Sequence, residues 1–200
     1  YPVKTAHNRG LDEHGATDGK AVAWSIWSAV QALEDSGLDV AEGLEAGIVL
    51  GTNMGISDRL ERALDEGLAL PEKPMFLYNL APKVARTLGL EGPIRTVSTA
   101  CSAGLYSVSL GYELIKSGKA DVVLAGGAES AATVYQACFQ RLGALATEAC
   151  KPFDTARNGT VTSEGAAVLV LESSEHFRNR AGKRCYGVVK GYGWSCDGYH

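Results

Sequence analysis

The chain has 200 residues, of which 46% are hydrophobic and 21% are charged, a composition typical of one soluble globular domain with a sizeable core. Its formal net charge of −4 gives no reason to expect binding to nucleic acid or to an anionic membrane surface. No stretch approaches the roughly 20 apolar residues that are needed to span a bilayer.

The beginning of the chain reads as a loop followed by a helix. Residues 1–17 are polar and without pattern, and Asp18 is placed to cap a helix over 18–36. The further predicted elements are, in chain order, a strand at 46–50, helices at 56–66 and 79–88, a strand at 94–98, a helix at 101–116, a strand at 122–125, a helix at 134–142, and strands at 166–171 and 185–191. Short apolar strands that alternate with helices predict an α/β layered domain.

The five cysteines are odd in number, irregularly spaced and without a CxxC pair. This pattern argues against a disulfide framework or a structural zinc site, and it favours a reducing cytoplasm. We expect most of the thiols to be small core residues. They are Cys101, Cys138, Cys150, Cys185 and Cys196.

Cys101 stands where a predicted strand turns into a predicted helix. A thiol there lies at the positive end of the helix dipole, which favours the thiolate and can stabilise a neighbouring anion. The small residues on both sides leave room for a bulky group, and the Cys101 amide can donate into an oxyanion hole. The alternative is that Cys101 is a buried apolar residue that packs a tight turn.

Several blocks, in order and in register, resemble the β-ketoacyl synthases. The segment 92–104 has Gly-Pro, a strand and then Thr99-Ala100-Cys101 followed by small residues, as in the active-site segment of that family. The further matching blocks are 118–121, 125–129, Lys151-Pro152-Phe153-Asp154, 164–172 and 191–200.

The resemblance implies a thiolase-like layered fold in which each of two similar halves has a mixed five-stranded sheet with helices. Residues 1–200 would form a partial N-terminal domain that lacks the opening strand and the whole second half. The start at Tyr1, without Met, and the end directly after a strand also predict a fragment.

The implied reaction is a decarboxylative Claisen condensation in fatty-acid or polyketide-type synthesis. Cys101 would take an acyl group from an acyl carrier protein, and malonyl-carrier protein would be the second substrate. The resemblance implies a homodimer or a heterodimer with a related subunit, and no metal or redox cofactor. The catalytic His and Lys residues of the family belong to the missing half, so we expect the isolated chain to be inactive.

Two further positions match the family's acyl pocket. Phe139 lies where the family has an aromatic residue, and Met54 lies in the turn that reaches the chain-length pocket; plain packing is the alternative for both. None of the four histidines, at 7, 14, 176 and 200, matches a catalytic position. Two other functions stay open: a thiolase-superfamily enzyme that uses coenzyme A, and a non-catalytic partner subunit of a synthase heterodimer.

Overall fold

The structure, a computed structural model, describes residues 19–38, 45–68, 77–181 and 184–198. The predicted loop over 1–17, the cap at Asp18, His7, His14 and His200 lie outside these residues. The elements are α1 (Lys20–Ser36), β1 (Ala46–Gly51), α2 (Ser57–Asp65), a 3-10 turn (Leu77–Asn79), α3 (Leu80–Leu88), β2 (Ile94–Val97), α4 (Ala103–Lys116), β3 (Val122–Glu129), α5 (Thr133–Arg141), β4 (Gly165–Glu172) and α6 (Ser174–Asn179).

The described strands form one mixed sheet in the order β2-β1-β3-β4. The first three are parallel, with Leu50 of β1 opposite Thr96 and Gly126, and β4 runs antiparallel to β3. The predicted α/β class and the mixed sheet are therefore confirmed. Four strands, not five, are present in the part of the chain that the structure describes.

The core lies between the sheet and the helices α1 and α3. Every residue of β1 is buried, as expected for a central parallel strand covered on both faces. Leu33 of α1 and Val84 of α3 are fully buried against Ile48 and Leu124 of the sheet. Helix α4 covers the other face, where a Cβ at Gly111 would lie 2.8 Å from Leu171 Cδ1.

The strand predicted at 122–125 is longer than expected, because Gly126 and Gly127 lie within β3 and do not end it. Antiparallel pairing continues to Glu129, which lies opposite Gly165. The two glycines allow backbones to come close: a Cβ at Gly126 would lie 2.0 Å from the Ala167 carbonyl oxygen. Glycine therefore marks close packing here, not a strand end.

The strand predicted at 185–191 is wrong, since residues 184–198 have no regular secondary structure. A strand pattern needs a neighbouring edge to pair with. Here the beginning of the segment contacts helix α1, where Arg184 and Tyr186 bind Asp35, and its later part packs on helix α4. Trp194 stacks on Tyr106 with ring centroids 5.1 Å apart, and Tyr192 meets Tyr112 edge-on at 6.0 Å.

The expectation that most thiols are core residues is also wrong, because all five cysteines are exposed. Cys138 lies on α5, which buries none of its residues, and Cys150 lies in an exposed loop. Cys185 and Cys196 belong to the segment 184–198, which has no regular secondary structure. None of the helices among the described residues is long and apolar enough to span a membrane.

Candidate active site

The carboxyl ends of the three parallel strands meet at one edge of the sheet, which is where ligands bind in open α/β sheets. A cleft of about 430 Å³ opens at this edge. Its lining includes Thr52 after β1, Cys101 after β2 and Glu129 at the end of β3. The start of the antiparallel strand β4, at Gly165 and Ala167, completes the wall.

Cys101 sits in a tight turn between β2 and α4. Ala100 has a φ of 50°, a left-handed conformation that non-glycine residues rarely adopt. The turn is held by the Ser102 hydroxyl, which donates to the Thr99 carbonyl at 2.7 Å, and by the Ala103 amide, which donates to the Ala100 carbonyl at 3.0 Å. Backbone strain of this kind persists where the surroundings impose it, and it is concentrated at functional sites.

The thiol is exposed at the cleft, so the alternative that Cys101 is a buried packing residue is wrong. Helix α4 begins at Ala103, two residues later, and its positive end therefore lies next to the sulfur. The predicted strand–turn–helix setting is confirmed, although the helix begins two residues after the predicted start at Cys101.

The first turn of α4 is pressed against the end of β1. A Cβ at Gly51 would lie 2.4 Å from both the carbonyl carbon and the carbonyl oxygen of Ala103, and 2.8 Å from the Gly104 nitrogen. No side chain fits between these backbones. Because Gly51 has no Cβ, the first turn of α4, directly after Cys101, can pack against the backbone of β1.

The loop after β1 is held from two sides. The Thr52 amide donates to the Val97 carbonyl at 2.9 Å, which joins the loop to the end of β2. The Glu129 carboxylate accepts hydrogen bonds from the Asn53 amide and the Met54 amide, both at 2.9 Å, and from the Thr52 hydroxyl at 3.2 Å. The sequence motif contained Glu129, but no sequence pattern revealed that it binds this loop.

Helix α5 begins close to the same edge and is capped from α2. The Glu61 carboxylate accepts from the Thr133 amide at 2.7 Å and from the Val134 amide at 2.8 Å. Burial would raise the pKa of Glu61, but these hydrogen bonds outweigh it and lower that pKa below its ordinary value. Because the carboxylate also complements the helix dipole, it anchors a helix that buries none of its own residues.

Tyr135 on α5 contacts the predicted pocket residue Phe139. The two rings meet edge-on with centroids 4.8 Å apart. Burial raises the pKa of the Tyr135 phenol, and the nearby Glu129 and Cys101 add to that rise. Both cleft residues therefore act electrostatically on Tyr135, which no sequence pattern predicted.

The structure brings one of the three predicted site residues into the cleft lining. That residue is Cys101, whereas Met54 and Phe139 are not among the described residues that line the cleft. Met54 is half-buried in the loop held by Glu129, and Phe139 is half-buried on α5. Pocket roles for these two side chains stay predictions.

His176 is the histidine within the described residues, and it lies away from the cleft. Its Nδ1 is 2.6 Å from Glu172 Oε1, at the end of β4 where Glu172 lies opposite Val122. Burial would raise the pKa of Glu172, but hydrogen bonds from Arg180 and His176 lower it overall. His176 thus belongs to an ion-pair cluster at the opposite edge of the sheet.

Comparison with known proteins agrees with this geometry. Residues 15–176 match the model of the family described as "Beta-ketoacyl synthase, N-terminal domain". The 3-oxoacyl-[acyl-carrier-protein] synthase 2 of Vibrio cholerae is 36% identical over 196 residues, covering 90% of this chain and 47% of that protein. The chain spans about half the length of the curated relatives that it matches.

Solved ketosynthase structures share the fold. The ishigamide ketosynthase/chain length factor superposes with a TM-score of 0.81 and 37% identity, over 90% of this chain and 47% of that one. A type II polyketide ketosynthase, solved with its acyl carrier protein and bound to the hexaketide, superposes with a TM-score of 0.71 and 26% identity, over 84% and 47%. These matches confirm the predicted thiolase-like ketosynthase fold. The chain belongs to the β-ketoacyl synthase family.

Proposed function

We propose that the protein carrying this chain is a condensing enzyme in which Cys101 holds the growing acyl chain. The observation that carries this proposal is the place of Cys101: it is exposed in the cleft at the carboxyl ends of three parallel strands, directly before helix α4. The related Vibrio enzyme is a 3-oxoacyl-[acyl-carrier-protein] synthase, which supports the same chemistry here.

In the first step the Cys101 sulfur attacks the carbonyl carbon of an acyl thioester. A new C–S bond forms, the old thioester C–S bond breaks, and the carrier's thiol leaves with the proton that Cys101 gave up. The negative charge that develops on the carbonyl oxygen is stabilised by backbone amides at the turn and by the positive end of α4. Within the described part of the chain the thiol is open to the cleft.

In the second step malonyl-carrier protein loses carbon dioxide, and the electron pair of the broken C–C bond becomes the nucleophile. It attacks the acyl carbon on Cys101, so a C–C bond forms and the thiolate leaves. Proton transfer in this step needs an acid or base whose pKa lies near neutral pH. The histidine among the described residues, His176, is bound to Glu172 at the far edge of the sheet. We therefore assign this task to the remainder of the protein and expect the 200-residue chain alone not to condense substrates.

The partners follow from the same proposal. Acyl carrier proteins bearing acyl and malonyl groups are the substrates, and the related ketosynthase solved with its carrier protein supports this assignment. A homodimer, or a heterodimer with a related subunit, in the cytoplasm completes the proposed setting. Nucleic acid and membrane have no part in it.

The nucleophile assignment can be tested by competitive labelling. Limiting iodoacetamide should alkylate Cys101 of the full-length protein before the other exposed cysteines, and Cys101→Ser should abolish acyl transfer. Cys138→Ser is a matched control, because Cys138 is also exposed but lies on α5, outside the cleft lining of the described residues. Preferential labelling of Cys138, Cys150, Cys185 or Cys196, with Cys101 inert, would overturn the proposal.

A further inference from the structure

We propose that Glu129 is a positioning residue that determines which acyl chains the cleft accepts, because it holds the loop 52–54 as part of the wall beside Cys101. This inference rests on the proposed function of the cleft. It concerns a side chain that forms no bond to the reacting atoms and acts through the loop that it binds.

Three hydrogen-bond donors converge on the one carboxylate. Oε1 accepts from the Met54 amide at 2.9 Å and from the Thr52 hydroxyl at 3.2 Å, and Oε2 accepts from the Asn53 amide at 2.9 Å. Hydrogen bonds to an ionised group are about twice as strong as neutral ones. Glu129 therefore defines the path of the loop immediately after β1.

The Thr52 hydroxyl passes this restraint along the loop. It donates to Glu129 and accepts from the Gly55 amide at 2.9 Å, and Thr52 is only 2% exposed. Loss of the carboxylate would leave a buried hydroxyl and two backbone amides without their acceptor. The loop should then shift to find other partners, because leaving buried polar groups without hydrogen bonds costs free energy.

Glu129 itself is held firmly. It is the last residue of β3 and pairs with Gly165 in the antiparallel ladder. Gly51, Thr52, Asn53, Glu129 and Gly165 all line the cleft. Because the backbone of Glu129 belongs to the sheet, its carboxylate anchors the loop 52–54, which forms one wall of the cleft.

The nucleophile is positioned by different contacts. Cys101 depends on the turn at Thr99 and Ala100 and on the seating of α4 against Gly51. A change at Glu129 should therefore alter the fit of the acyl chain more than the reactivity of the thiol.

Glu129→Gln is the informative variant, because an amide of the same shape cannot accept hydrogen bonds at both ends. Its NH₂ group must face either the Asn53 amide or the pair formed by the Thr52 hydroxyl and the Met54 amide. Glu129→Asp keeps the acceptors but is shorter by one methylene, and serves if the Gln variant does not fold. Glu172→Gln is the matched control: it also alters a hydrogen-bonded carboxylate at a strand end, but opposite Val122 at the other edge of the sheet.

The experiment measures single-turnover acylation of Cys101 in the full-length protein by intact mass, using acyl carrier proteins with a short and a long saturated chain. Room for one methylene changes discrimination by about 10–200-fold, so Glu129→Gln should change the long-to-short rate ratio by about tenfold or more. Glu129→Asp should change it less, and Glu172→Gln should lower Tm while leaving the ratio unchanged. Hydrogen exchange at Asn53 and Met54 should accelerate in Glu129→Gln and not in Glu172→Gln.

A rate ratio in Glu129→Gln within twofold of the parent, or an equal change in Glu172→Gln, would overturn the inference. If Glu129→Gln does not fold, a parental ratio and parental exchange in Glu129→Asp would do the same. If the parent protein takes no acyl group on Cys101, the proposed function is contradicted. The hydrogen-exchange rates at Asn53 and Met54 would still show whether Glu129 holds the loop.

Discussion

Gly51→Ala should displace the first turn of helix α4, which follows Cys101. The added Cβ would lie 2.4 Å from the Ala103 carbonyl carbon and oxygen. Ordinary van der Waals contact begins at about 3.4 Å, so the two backbones must separate by about 1 Å. Neither can yield as a flexible side chain would, because β1 is fully buried and α4 packs on the sheet along its length.

The energetic cost follows from this geometry. Overpacking a well-packed site costs about 1–3 kcal/mol and occasionally more, and a clash with backbone belongs at the upper end of that range. Cys101 lies two residues before Ala103, so the same displacement moves the sulfur relative to its substrate. A misplacement of about 1 Å can slow a reaction by about 10²-fold.

The assay pairs denaturant unfolding with the rate of Cys101 acylation in Gly51→Ala and Gly104→Ala. Both glycines line the cleft, but a Cβ at Gly104 would meet nothing within 4 Å. Because Gly104 lies in α4, its replacement by alanine should stabilise the helix by up to about 1 kcal/mol. Parental stability together with a parental acylation rate in Gly51→Ala would refute the proposed seating of α4.

Three further predictions concern residues that hold the site in place. Glu61→Gln should lower the free energy of unfolding at pH 7 by about 0.5–2 kcal/mol, since it weakens the cap of α5. Because folding lowers the pKa of Glu61, the difference in free energy of unfolding between parent and variant should be complete above the ordinary pKa of 4.5. Unfolding measured against pH should show this difference disappearing as the pH falls through the folded-state pKa. Glu172→Gln should cost about 1–3 kcal/mol, because it breaks the bidentate contact with Arg180 at 2.5 and 2.7 Å in a side chain that is only 9% exposed, and an unchanged denaturation midpoint would argue against that pair. Gly126→Ala should force β3 and β4 apart and lower Tm, because its Cβ would lie 2.0 Å from the Ala167 carbonyl oxygen. A Cβ at Gly165 would meet nothing within 4 Å, so equal Tm values for Gly126→Ala and Gly165→Ala would contradict this close packing of β3 and β4.

Local patterns predicted most of the fold because hydrophobic periodicity reports which faces are buried. The helices α1, α3 and α4 and the buried strand β1 fall where the apolar spacing put them, within one or two residues. The pattern over 185–191 failed, because a strand exists only where another strand offers hydrogen bonds, and pairing is a property of the whole fold. Tyr186, within that range, binds Asp35 of α1 instead, and Tyr192 and Trp194 just after it pack on α4.

The position of Cys101 between a strand and a helix could be predicted because it is local, and the other contacts of the site could not because they join residues distant in sequence. A cysteine between a strand and a helix is visible in one short segment. The contacts of Glu129 with Asn53 and of Glu61 with Val134 join residues more than 70 positions apart.

Helix α6 was missed because it has only six residues. Its start is nevertheless marked by Ser173, whose hydroxyl accepts from the His176 amide at 3.1 Å.

The central claim, that Cys101 carries the acyl group, is tested most directly by trapping the acyl-enzyme. The full-length protein, incubated with acyl carrier protein bearing one saturated acyl chain and without malonyl donor, should gain the mass of one acyl group. Peptide mapping should place that group on Cys101, and hydroxylamine should release it as expected for a thioester. An acyl group on any other residue, or an unchanged acylation yield in Cys101→Ser, would contradict the claim.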